Sequence, residues 1–399
     1  MNPRKLAFLY TPEIEGLSYP PDCPFKTQRV GLTRQRLLSL GLLGGADGQE
    51  IAPRCALLSE LETIHSPRYL EELQRAAAGE LTVGGLHMGL GGPDTPVFKD
   101  LFVYGTWACG AALAAANRLL AGDADVAFSL LGGFHHAMAK RAAGFCYLND
   151  VALACARLAV AGRRVAYVDV DAHHGDGVQA AFYRRDDVLT ISLHESGKTL
   201  FPWGGFEGEI GEGPGLGYNA NLSLPAGTFD EAFLMAFDRV VMPLLDAYAP
   251  DCLVLELGLD ALAGDPLTHL SLTNNAFVEV LQRLLGLRLP LLVAGGGGYH
   301  VANTVRGWAL AWQTCRDDSG EPDFSIGLGG VLLGTSEWAG GLRDRELPVM
   351  PEQRAAVEPA LRVAIDAVIR GVFPHHGLMP RVAVASGAAP TARSGDRIP

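Results

Sequence analysis

The chain has 399 residues, 48% of them hydrophobic, and a net charge of −12. That apolar share supports a large core, and an acidic balance with no basic cluster excludes nucleic acid and anionic membrane as natural partners. Apolar runs are broken by charge or glycine well before the roughly 18 residues a membrane span needs. Seven cysteines without a C-x-x-C pair make no disulfide framework, and the first ten residues read as no signal peptide, so a soluble cytoplasmic protein is expected.

In chain order, residues 5–10 read as a first strand, followed by a proline-rich irregular stretch over 12–24. Residues 28–40 carry helical periodicity that closes at Gly41. A second helical region over 60–78 is interrupted at Ser66-Pro67, where proline suits the first turn of a new helix. Glycine and proline dominate 79–98, which predicts a long surface loop of a length that more often serves function than not. Residues 104–120 predict an alanine- and leucine-rich helix ended by Gly122, and 124–131 a strand that runs into Gly132-Gly-Phe-His-His136. Asn149 can cap a helix to Val160, stopped by Gly162. Strands are predicted over 165–170, 188–193, 252–257 and 289–294, and helices over 274–285 and 301–315. Thr228-Phe-Asp-Glu231 has the form of a capping box opening a helix to Tyr248. This alternation predicts an α/β fold: a single domain over 1–380, three layers α/β/α, with a mostly parallel central sheet. The Ala/Gly/Ser/Pro-rich stretch over 381–399 reads as a disordered tail.

The chemistry concentrates at Val165-Ala-Tyr-Val-Asp-Val-Asp-Ala-His-His-Gly-Asp-Gly-Val178. An extended path would put Asp169, Asp171 and His173 on one side at the carboxyl end of a buried strand, where open α/β sheets place their ligands. Two carboxylates and an imidazole are costly to desolvate together unless a cation compensates them. Oxygen and nitrogen donors without a thiolate suit a catalytic zinc, with iron(II) or manganese as alternatives. Asp260, after the strand over 252–257, completes three protein ligands and leaves a position open for water. His135 and His136 can serve as bases if each is oriented by a carboxylate, and Asp169 and Asp176 are the unassigned ones nearby. Gly295-Gly-Gly-Gly-Tyr299 lacks the Lys-Ser/Thr pair of a phosphate loop, so it is read as flexible backbone carrying a tyrosine hydroxyl toward the metal.

Together, Gly132-Gly-Phe-His-His136, Gly144-Phe-Cys-Tyr-Leu-Asn-Asp150, Asp169-Val-Asp-Ala-His-His-Gly-Asp-Gly177, Gly258-Leu-Asp260, Gly264-Asp-Pro266 and Gly295-Gly-Gly-Gly-Tyr299 resemble the zinc-dependent histone deacetylase family. Cys23-Pro-Phe-Lys-Thr-Gln-Arg29, Asp94-Thr-Pro-Val-Phe-Lys99 and Asp265-Pro-Leu-Thr-His-Leu-Ser271 are most similar to its bacterial acetoin-utilisation branch. The resemblance implies an arginase/deacetylase-like fold and zinc held by Asp171, His173 and Asp260. It implies His136, paired with Asp176, as general base and then acid, with His135, paired with Asp169, beside it, and Tyr299 as oxyanion donor. Phe145 and Phe201 would wall a channel for an acyl-lysine stem with Gly133 nearby, and Asp94 would hold the substrate backbone at the rim. It also implies potassium at Asp169, Asp171, His173, Ser192 and Leu193, and a second potassium near Phe182, Arg185, Val188 and Tyr218. The family's usual Pro-Gly-Thr-Gly is Pro202-Trp-Gly-Gly205 here, and its Gly-Ala-Asp is Gly258-Leu-Asp260, changes that bear on channel width and acyl preference.

The expected substrate is therefore the acetylated or short-acylated lysine of a protein or peptide, with acetate as product. An acetylated polyamine is the alternative, a cation that the negative charge of the chain would also suit. A two-metal ureohydrolase is disfavoured by glycine where a second metal would want a carboxylate, and a non-catalytic acyl-lysine reader could dispense with groups that are all present. Cys146 reads as a small buried hydrophobe, and His65, His194 and His269 as structural.

Overall fold

The computed structural model describes residues 4–44, 48–316 and 341–378, and the tail expected over 381–399 lies outside the described residues. Among the described residues eight strands make one sheet: β1 (Leu6–Leu9), β2 (Gly48–Ile51), β3 (Val126–Ser129), β4 (Val165–Asp169), β5 (Val188–Glu195), β6 (Asn219–Leu224), β7 (Cys252–Glu256) and β8 (Leu291–Ala294). They lie in the order β2-β1-β3-β8-β7-β4-β5-β6, and every pairing is parallel. All except the edge strand β2 are buried at every position, which is why all of these but the more polar β6 read as apolar runs rather than as alternating patterns.

The helices are α1 (Arg29–Ser39), α2 (Leu58–Leu61), α3 (Pro67–Ala77), α4 (Val83–His87), α5 (Leu101–Ala121), α6 (Asp150–Val160), α7 (Asp176–Phe182), α8 (Asp230–Tyr248), α9 (Asn274–Gly286), α10 (Val301–Arg316) and α11 (Pro351–Gly371). They pack in two connected series, α5-α6-α7 and α1-α10-α9-α8-α11, giving the three-layer arrangement. Asn149 and Gly122 cap their helices as expected, and Ser66 caps the helix that Pro67 opens. The Ser66 hydroxyl accepts from the Tyr69 amide, the Asn149 side chain accepts from the Ala152 amide at 2.8 Å, and Gly122 closes α5 at φ 71°.

Two expectations are corrected. The stretch over 79–98 is not all loop, because Thr82 accepts from the Gly85 amide at 3.0 Å and starts the short α4. The capping box at Thr228 does not form: the Thr228 hydroxyl donates to the Pro225 carbonyl, Phe229 takes the N-cap position, and the Asp230 carboxylate accepts from the Thr273 amide instead. Four elements went unread: β2, β6, α7 and α11. The β6 sequence Asn219-Ala-Asn-Leu-Ser-Leu224 looks too polar for a buried strand, yet Gln179 Oε1 of α7 accepts from the side-chain Nδ2 groups of both Asn219 and Asn221, at 2.8 and 2.7 Å, so both can be buried.

Candidate active site

Four neighbouring strands, β3, β8, β7 and β4, deliver the candidate residues from their carboxyl ends. The ladder of β4 stops at Asp169 rather than running on to Val170 and beyond. From there the amide of Asp171 donates to Asp169 Oδ1 at 3.0 Å and that of His173 to Asp171 Oδ1 at 2.8 Å, so the chain turns on its own carboxylates. Asp169 thereby parts from the other two and faces His135.

Asp171, His173 and Asp260 meet, with one donor atom from each within 4.8 Å of the others, and all three are buried. The Nδ1 of His173 lies 2.8 Å from Asp260 Oδ2 and 3.3 Å from Asp171 Oδ1. The backbone fixes the remaining oxygens: Gly297 N–H donates to Asp171 Oδ2 at 2.6 Å and Ala172 N–H to Asp260 Oδ1 at 2.9 Å. Glycines make the space. A Cβ on Gly258 would sit 1.9 Å from Asp171 Oδ2, and one on Gly297 would sit 2.1 Å from Asp260 Oδ2. Burial and the charge of Asp171 push the Asp260 carboxyl up to about 7, while burial is outweighed at Asp171, where His135 and His173 hold the carboxyl well below its ordinary range. His173 rises to about 10, the Asp260 and Asp171 carboxylates overcoming its burial. Two converging carboxylates that bid for the same positive charge, in a glycine-lined cradle, form a donor set suited to a divalent cation.

Beside them, His135 Nδ1 is 3.0 Å from Asp169 Oδ2 and His136 Nδ1 is 2.8 Å from Asp176 Oδ1. Tyr167 also donates to Asp169 Oδ2, at 2.6 Å. At His135 burial is overcome by the Asp169 and Asp171 carboxylates, which raise it to about 9; at His136 burial, reinforced by the charge of His135, lowers it to about 4. The Tyr299 ring stands 6.3 Å from that of His173 and 5.8 Å from that of Phe145. Its amide donates to Asp265 at 2.8 Å, and burial followed by the Asp260 charge raises its hydroxyl well above 10, so it remains a donor. The Phe201 ring packs 5.0 Å from His136. Asp94 accepts from the Gly144 amide at 2.9 Å, and its carbonyl accepts from the Phe145 amide.

Gly133, expected near the Phe145 and Phe201 rings, faces away from them. Its Cα packs against Gly295, Gly296 and Glu256, and its amide donates to Asp150. Gly144 occupies the place instead, since a Cβ there would meet the His136 ring at 2.4 Å and the Phe201 ring at 3.0 Å. Of the residues named for potassium, Asp169 and Ser192 pair in register on β4 and β5, with Leu193 next to Ser192; Phe182 ends α7, Val188 opens β5, and Arg185 lies between them with its guanidinium on Asp187. Tyr218 turns its carbonyl to the Thr190 amide.

Sequence reading missed three contributors. Arg29, buried between Phe25 and Trp308, donates to the carbonyls of Gly298 and Gly296 at 2.9 and 3.0 Å and so fixes the loop that carries Tyr299. Asp265 ties that loop from the other side. Glu256, in register with Asp169, is fully buried with both carboxylate oxygens unpartnered, and burial plus the Asp169 charge push its carboxyl well up. Its oxygens also lie close to His135 and Asp171. A single arginine opening an amphipathic helix and an acid at the end of an apolar strand carry no local signal for these roles.

The family model of the histone deacetylase domain matches residues 23–315. The acetoin utilization protein AcuC of Bacillus subtilis is 38% identical over 317 residues, covering 77% of this chain and 81% of that one. Histone deacetylase 3 of Oryza sativa is 36% identical over 308 residues, 76% of this chain and 60% of that longer protein. Among solved structures, an HDAC homologue complexed with SAHA superposes with a TM-score of 0.81 at 31% identity, covering 92% of this chain and all of that one. An HDAC homologue from Aquifex aeolicus gives 0.77 at 30% identity over 91% of this chain.

Proposed function

The chain belongs to the histone deacetylase family, and on that premise we propose that it is a metal-dependent amidohydrolase that removes acetyl or short acyl groups from lysine side chains of proteins or peptides. The observation that carries this reading is the meeting of Asp171, His173 and Asp260 directly beside the His135–His136 pair. We assign zinc to those three residues, with iron(II) as the second choice, and potassium to the two flanking sets named above. Held there by Asp171, His173 and Asp260, such an ion would supply Lewis-acid chemistry toward the amide carbonyl and toward the attacking water.

The side chains do the rest. The Phe145 and Phe201 rings, with Gly144 leaving room between them, hold the apolar lysine stem, and Asp94, whose Oδ2 is already on the Gly144 amide, offers Oδ1 to the substrate backbone. His136, oriented by Asp176, accepts the proton of the attacking water and later gives it to the leaving lysine nitrogen. His135, oriented by Asp169, supports that pair. The Tyr299 hydroxyl donates to the oxyanion that forms on the acyl carbon, an interaction stronger in the transition state than in the ground state. The C–N bond breaks to give acetate and the free amine. A cytoplasmic setting belongs to this reading, supported by seven cysteines that carry no disulfide. Among the described residues no helix is long and apolar enough to cross a membrane.

The net charge of −12 favours a second reading, an acetylpolyamine amidohydrolase. Rates on an acetyl-lysine peptide, acetylputrescine and acetylspermidine separate the two: a peptide preference supports the first, and turnover restricted to the acetylpolyamines overturns it.

A further inference from the structure

Trp203 is 64% exposed, two residues beyond Phe201, with its backbone at φ 65°. That left-handed region suits glycine and penalises a bulky side chain, and the next two residues, Gly204 and Gly205, are themselves glycine. The conformation is imposed from several sides. The Trp203 amide donates to the Leu200 carbonyl at 3.2 Å, and Glu209 accepts from the amides of Gly205 and Phe206 at 2.9 Å each. On the inner side the backbone of Trp203 and Gly204 lies on Gly197, where a Cβ would meet the Gly204 carbonyl at 2.4 Å. The loop is therefore tied down by hydrogen bonds and close packing on several sides, and it holds a large indole in solvent at a strained position. Two residues of chain span at most about 7 Å, so this indole is rooted beside a ring that packs on His136.

We propose that Trp203 is a specificity-determining residue at the channel mouth, a flat shelf on which the peptide chain next to the acylated lysine rests. The inference builds on the lysine deacetylase reading above. Once Phe145 and Phe201 have taken up the lysine stem, only substrate outside the channel is left to meet Trp203. Asp94 holds the substrate backbone from the Gly144 side, and the indole supplies an apolar face from the Phe201 side at low entropy cost because its loop is already ordered.

The test compares kcat and KM on an acetyl-lysine peptide, on acetyl-lysine with blocked termini and on acetylspermidine, for the wild type, Trp203→Gly and Trp203→Tyr. Trp203→Gly relieves the backbone and should fold at least as well as the wild type. The expected result is a rise of about tenfold in KM for the peptide, no change for the blocked single residue, and recovery with Trp203→Tyr. Equal changes on peptide and single residue, no change on either, or a loss confined to acetylspermidine would overturn the proposal. Wild-type turnover of the blocked single residue tests the deacetylase reading by itself. If the wild type turns over neither acetyl-lysine substrate, that reading fails and Trp203 loses its assigned role with it.

Discussion

His135 and His136 face each other through their Nε2 atoms at 3.1 Å, while each turns its Nδ1 to a different carboxylate. Both Nδ1 atoms donate, to Asp169 and to Asp176, so the contact between the Nε2 atoms needs one hydrogen, and the two rings together carry one positive charge. The opposite displacements of the pair, His135 up to about 9 and His136 down to about 4, place that charge on His135. His136 is thus held neutral, its tautomer set by Asp176, and its Nε2 lone pair, which meets His135 here, serves as base toward water when that contact opens.

If that orientation matters, Asp176→Asn should lower kcat by about 10- to 100-fold with little change in KM and no loss of bound metal. Steady-state kinetics paired with elemental analysis decide it. An unchanged kcat would remove Asp176 from the proton relay.

Tyr299→Phe deletes only a hydroxyl. Because Asp265 and Arg29 hold the loop through backbone groups, the ring should keep its place, and the variant should retain metal yet lose about 10²- to 10³-fold in kcat. A variant with wild-type turnover would exclude the hydroxyl as oxyanion donor.

Gly258→Ala tests the cradle without touching a ligand. The added Cβ would lie 1.9 Å from Asp171 Oδ2, backed by the Gly297 amide, so the carboxylate has nowhere to go. We expect bound metal per chain to fall well below that of the wild type, read by elemental analysis after gel filtration. Full metal content would show that the site tolerates the shift.

His65 provides a pH test away from the metal. Its Nδ1 donates to the Met138 carbonyl at 3.1 Å and its Nε2 accepts from the Asn149 amide at 2.9 Å, a pattern only the neutral ring satisfies. Burial lowers it from 6.5 to about 4. Between those values the unfolded chain binds the extra proton, so stability rises with pH; the contribution is fully present above 6.5 and is lost as the pH falls through 4. It amounts to something on the order of 3 kcal/mol, and urea unfolding of wild type and His65→Gln across this range should give a shallower pH dependence for the variant. Parallel curves would contradict the assignment.

How much of this was legible beforehand depends on where each signal sits. The β3, β4, β7 and β8 runs are apolar and buried on both faces, and the residues at their ends are polar and close in sequence, so Asp171, His173, Asp260, His136 and Tyr299 could be named from pattern. β6 was hidden because its two buried asparagines are satisfied by Gln179, forty residues away or more. The Thr228 box failed because Asp230 found a tertiary partner in Thr273 that local rules cannot foresee. Gly133 and Gly144 both lie in short motifs near His135-His136 and Phe145, and only packing shows which of them faces the His136 and Phe201 rings.

The most direct measurement is acetate release from an acetyl-lysine peptide by one preparation as purified, after dialysis against chelator, and after readdition of zinc. Turnover should fall by at least about 100-fold in the metal-free protein and return at one ion per chain. Asp260→Ala should neither hold the ion nor recover. Undiminished acetate release by protein shown to be free of metal would contradict the assignment of Asp171, His173 and Asp260.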